Sequence, residues 1–88
     1  MAVALQEYDA MLELLRTMIE QQREKVLRIG RQLNPRLTAD DVMNPFDWPE
    51  VNHNPQFTFE DGLLSGLISA HAAISARRAE AERAGTAP

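Results

Sequence analysis

Residues 2–33, AVALQEYDAMLELLRTMIEQQREKVLRIGRQL, decide the fold. Leu5, Tyr8, Leu12, Leu15, Ile19, Gln22, Val26, Ile29 and Leu33 recur at spacings that alternate between three and four, which is the repeat of one face of an α-helix. Gln22 is the single polar member of that stripe. Met11 and Met18 lie beside it and widen the apolar face in the N-terminal half beyond a narrow two-position seam. A face of that width exceeds what one partner helix covers, so a bundle is expected rather than a two-stranded coil. Asn34-Pro35 ends the helix, because a residue before proline disfavours the α conformation and proline cannot continue the hydrogen-bond ladder.

The connector, residues 34–57, holds Pro35, Pro45, Pro49 and Pro55 among several asparagines, a composition that forbids a long regular element. Leu37, Val42, Met43, Phe46, Trp48, Val51 and Phe57 run through it, and a disordered linker would be poor in such side chains. Thr38-Ala39-Asp40-Asp41 and Asp47-Trp48-Pro49-Glu50 each place a capping oxygen three residues before a carboxylate, so two one-turn helices are expected. A second long helix is expected over 58–83, capped by Thr58, with Glu60 and Asp61 at the positive end of its dipole. Leu63, Leu64, Leu67, Ile68, His71 and Ile74 form its broad apolar face. Residues 85–88 are expected to be a disordered tail.

Charge order favours an antiparallel arrangement. Glu60 and Asp61 would fall beside Arg28 and Arg31, while Arg77, Arg78 and Arg83 would meet Glu7, Asp9 and Glu13. The expected fold is therefore all-α: an antiparallel helical hairpin of two long helices with a Pro-rich connector containing one or two short helical turns, dimerising into a four-helix bundle. Residues 1–84 would form one domain.

Composition narrows the function. At 88 residues without cysteine, the chain has one small core and no disulfide to reinforce it. A core of this size rarely supplies more than ~3–5 kcal/mol, which makes a homodimer the expected source of further stability. Net charge is −4, and no Lys or Arg occurs from Leu37 through Ala76, where six acids fall. The basic residues on either side are nearly neutralised by neighbouring acids, so no nucleic-acid partner is expected. The start lacks a basic segment before its apolar residues, and no uncharged run reaches the ~20 residues of a bilayer span. A cytoplasmic protein with no membrane association is the expectation.

Few residues suggest chemistry. Glu50-Val51-Asn52-His53 has the Glu-x-x-His spacing and resembles the ligand motif of ferritin-like di-iron proteins; that resemblance implies a metal-binding bundle using Glu50 and His53 across a dimer, with Glu13, Glu20 or Glu24 as further carboxylates. The resemblance spans four residues, and the plainer reading makes Glu50 part of a capping box and His53 a surface turn residue. His71, between Leu67 and Ile74, reads as a core or interface histidine, and a buried contact with Gln22 would set register. Gly62 and Gly66, one turn apart, suggest close backbone approach to helix one or to a partner helix. Phe46 and Trp48, flanked by prolines and acids, are candidates for binding a protein partner; alternatively both rings plug the open end of the hairpin. No serine or histidine constellation forms a catalytic triad. No catalytic residue, cofactor or metal is assigned, and the expected function is a non-enzymatic oligomerisation and protein-interaction module, with the di-metal bundle as alternative.

Overall fold

The computed structural model describes residues 3–86. Its elements are α1 (Leu5–Leu33), α2 (Ala39–Val42), a 3-10 turn (Pro45–Asp47), α3 (Pro49–Asn52) and α4 (Pro55–Thr86). No strand occurs among the described residues, and the two long helices are joined by the proline-rich connector.

The helix ends follow local chemistry. Ala4 is extended (φ −71, ψ 150), so α1 begins at Leu5 rather than at residue 2, which lies outside the described residues. At the other end Asn34 is extended, as the residue before Pro35 must be, and its N–H returns to the Gly30 carbonyl at 2.8 Å. The second long helix starts at Pro55, three residues before the expected Thr58. Asn54 caps it, its side-chain oxygen accepting from the Phe57 N–H at 2.9 Å, and proline suits the first helical position, where no N–H is needed. The same helix continues through Thr86; the expected tail from residue 85 is thus helical for two residues, and the remaining two lie outside the described residues.

One of the two expected connector caps is present. Thr38 and Asp41 form a reciprocal capping box at α2: the Thr38 hydroxyl accepts from the Asp41 N–H at 3.2 Å, and the Asp41 carboxylate accepts from the Thr38 N–H at 2.9 Å. The second is not formed. Asp47 closes the 3-10 turn, Trp48 occupies the cap position of α3 without a side-chain bond, and Glu50 instead accepts from Asn34 Nδ2 at 2.9 Å. Asn34 is consequently a hub, since its side-chain oxygen also accepts from the Arg36 N–H and its carbonyl from the Leu37 N–H. Arg31 Nε donates to the Leu37 carbonyl at 2.9 Å and fastens the start of the connector to α1.

The core lies at this end of the molecule. Val26 and Ile29 from α1, Leu37, Val42 and Val51 from the connector, and Phe57 from α4 form one buried cluster, with Leu27, Leu33, Trp48 and Leu64 packed against it. Full burial of a side chain such as Phe57 or Leu37 is worth ~1.5–3 kcal/mol, against ~0.2–1 kcal/mol for an exposed ion pair; this cluster therefore dominates the stability of the single chain. Gly30 lets the layers meet: a Cβ there would come 3.2 Å from Leu37 Cδ1 and 3.3 Å from Val42 Cγ2. The expected close approach at Gly62 and Gly66 is absent within the chain, both positions having nothing within 4 Å of an added Cβ.

Beyond the core α1 and α4 run antiparallel in a rod of 55 × 19 × 19 Å. Two ties set their register. Near the core, Gln22 Nε2 donates to both the carbonyl and the carboxylate of Glu60, at 2.8 and 2.7 Å, and Lys25 Nζ lies 2.9 Å from the same carboxylate. At the far end Arg78 Nε pairs with Asp9 at 2.6 Å, one of the expected matches. Glu60 does not meet Arg28 or Arg31 as expected, because α4 starts almost a turn early and carries Glu60 deeper along α1.

Candidate interaction surface

Between the two ties the hairpin has only two helices to cover its apolar residues. Leu12 is buried; Tyr8, Leu15 and Ile19 on α1 and Leu67, His71 and Ile74 on α4 are half-buried. Leu5, Met11 and Met18 are each more than a third exposed, and Leu14 is 62% exposed. On α4 Phe59, Leu63 and Ile68 are also exposed.

These side chains are distributed unequally over the two faces of the rod. At about 100° per residue, Met11, Leu14 and Met18 share the flank of α1 that carries Gln22 and Lys25 to Glu60. Arg23 and Leu27 lie on the opposite flank, where they line a groove with Asp61, Leu64, Ser65 and Ile68. On α4 the flank turned away from Asp61 and Ser65 bears Phe59, Leu63, Ala70 and Ile74, so it adjoins Met11, Leu14 and Met18. One face of the rod is therefore apolar over its middle. From Glu7 to Lys25 the α1 flank presents Ala10, Met11, Leu14, Met18 and Gln21 without a charge, and from Phe59 to Arg77 the α4 flank presents Leu63, Gly66, Leu67, Ala70 and Ile74.

The opposite face is polar except at its groove, a space of about 540 Å³ beside α2 whose wall includes Asp40, Met43 and Asp61. Partial burial raises the carboxyl pKa of Asp61. Glu60 is buried, and its carboxyl is held below the ordinary range first by the hydrogen bond from Gln22 and then by that from Lys25. Glu50 is shifted the same way, chiefly by Asn34.

The residues singled out from sequence separate clearly. Gln22 is bonded to Glu60, not to His71, whose Nε2 is enclosed without a hydrogen-bond partner. Trp48 packs against the core, while Phe46, in the preceding turn, is 83% exposed; one ring closes the hairpin and the other is left outside, so the two do not act together as a plug. Glu50 is engaged by Asn34 and His53 is an exposed residue ending α3. Among the described residues no group of three His, Cys, Asp or Glu side chains is placed to hold a metal ion, and no helix is long and apolar enough to cross a membrane. Glu60 and Leu14 were not singled out as site residues from sequence. Leu14 had a signal: it falls three residues after Met11 and four before Met18.

No protein-family model, curated protein or solved structure matches this chain. The fold defines a class, the αα-hairpin with a capped end, and its apolar face stays exposed in the single chain.

Proposed function

We propose that this chain is a non-enzymatic interaction module whose hairpin pairs with a second copy to make a four-helix bundle, holding its acidic connector and Phe46 outward for a protein partner. The observation that carries the proposal is the uncharged face formed by Met11, Leu14 and Met18 with Leu63 and Ile74, of which Leu14 is 62% exposed in the single chain. A second copy suits it by size. The uncharged stretch between Glu7 and Lys25 is about 27 Å long at 1.5 Å per residue on a rod 19 Å wide, on the order of 500 Å² in outline, and its charged margins would supply the rest of the ~800 Å² per partner of a stable interface. The expected cofactor requirement is none, and the interaction is the activity.

Light scattering on a size-exclusion column tests this reading. The full chain is expected to elute with twice its mass at micromolar concentration, and Leu14→Asp to elute with the single-chain mass while remaining helical by circular dichroism, since residue 14 lies outside the core. A well-folded wild-type chain that keeps the single-chain mass up to hundreds of micromolar sinks the proposal.

A further inference from the structure

We propose that the two copies pair antiparallel about a twofold axis that crosses α1 level with Arg16 and α4 level with Ile68 and Ser69, bringing Glu7 of each against Lys25 of the other. This inference rests on the self-pairing proposed above and adds its geometry.

The support is that the apolar face is complementary to its own reversed copy. When a helix meets its symmetry mate antiparallel, each residue faces the one equally distant on the other side of the axis. On α1, Arg16 is the midpoint of Leu14 and Met18, so these apolar side chains would face each other across the axis. Arg16 is also the midpoint of Glu7 and Lys25, the two charges that bound the face, and they have opposite signs. Lys25 keeps 45% of its side chain exposed despite its bond to Glu60, which leaves its ammonium able to share a second carboxylate. A parallel pairing about an axis along the rod would instead lay α1 on α4, bringing Glu7 within a turn of Arg77 and Lys25 level with Phe59 of the other copy; it lacks the Leu14–Met18 match on α1 and would not bring residues 11 and 21 of the two copies together.

The second helix independently places the axis at the same level. Leu63 and Ile74 are symmetric about the Ile68–Ser69 bond, and Phe59 and Arg77 are symmetric about Ile68. Phe59 is 65% exposed, and an Arg77 guanidinium over its ring would form a cation–π contact. Around that level α4 carries Gly66 and Ala70, which let two backbones approach. The ties within one chain relate the two levels. The pairs Gln22–Glu60 and Asp9–Arg78 bracket a midpoint at Leu15 and Arg16 on α1 and at Ser69 on α4. The centre of the hairpin, the centre of its charge pattern and the centre of its apolar pattern therefore coincide.

Disulfide trapping tests the arrangement, and the absence of native cysteine makes single-cysteine variants unambiguous. Met11 and Gln21 are symmetric about Arg16, so a mixture of full-length Met11→Cys and Gln21→Cys chains is expected to form the mixed disulfide under mild oxidation. Either variant alone is expected to stay reduced, because ten residues of helix would separate like positions by about 15 Å, beyond the ~7 Å Cα limit for a disulfide. Each variant is also weighed by light scattering. A dimeric mass with a Met11→Cys self-disulfide, or with no mixed disulfide, overturns this geometry and leaves self-pairing standing; a single-chain mass for the wild type overturns both. As an independent readout, Glu7→Lys is expected to weaken wild-type association about fivefold at low salt, two exposed pairs being lost, with the difference closing at 1 M salt. Equal association of Glu7→Lys and wild type at low salt overturns the pairing of Glu7 with Lys25.

Discussion

Glu60 illustrates how a single carboxylate can set the register of two helices. Its buried oxygens receive Gln22 and Lys25 from α1, and a slip of α1 along α4 would leave a carboxylate enclosed without donors, a large penalty compared with the loss of a surface pair. Because its pKa is lowered from the ordinary 4.5 in the folded chain, the ionised form is favoured more by folding than by the unfolded chain. Its contribution is complete above about pH 4.5 and is lost as pH falls through the lower folded value. Thermal melts between pH 6 and 3 should therefore show a declining midpoint that flattens in Glu60→Gln; a variant curve parallel to the wild type would refute the role. Gln22 stands out in the sequence as the one polar residue of its stripe, with His71 as a possible partner; the partner it takes is Glu60. Asn54 caps α4 in place of Thr58, four residues earlier, so the helix gains about one turn at its start.

At the scale of elements, chemistry contained within four residues was legible. Thr38 and Asp41 close their box because both partners belong to one turn. The Asp47–Glu50 box had the same spacing and failed, since Glu50 found the Asn34 amide across the connector and Asp47 closed a 3-10 turn instead. Glycines divide in the same way. Gly30 looked unremarkable in sequence, yet it sits where Leu37, Val42 and Phe57 crowd α1; Gly62 looked like a contact and faces open space. Gly62→Ala should accordingly stabilise the chain by ~1 kcal/mol through helix propensity alone, raising the melting midpoint by roughly 4–8 °C in a chain of this size. A lowered midpoint would show that a partner helix does approach Gly62.

The whole molecule is uneven in its construction. Its core gathers at the connector end, whereas the distal hairpin depends on Leu12, several half-buried residues and the Asp9–Arg78 pair. In dilute solution amides of Met11 to Met18 should exchange far faster than those of Val26 to Gly30, because local opening tracks buried contact. Self-pairing adds a second prediction to the same measurement: protection of Met11 to Met18 rises with protein concentration while that of Val26 to Gly30 is unchanged. Exchange independent of concentration across both segments would argue against any partner copy on this face.

Periodicity and proline placement were enough, without coordinates, to establish an all-α chain of two long helices with a structured connector, because both act over distances shorter than a few turns. Which carboxylate meets Gln22, which of Phe46 and Trp48 is buried, and on which side of the rod the apolar residues collect were decided only by tertiary structure. Each depends on the relative position of segments far apart in the chain, and that position follows from the joint packing of Phe57, Leu37 and Val42 against Gly30, a fit that no local pattern encodes.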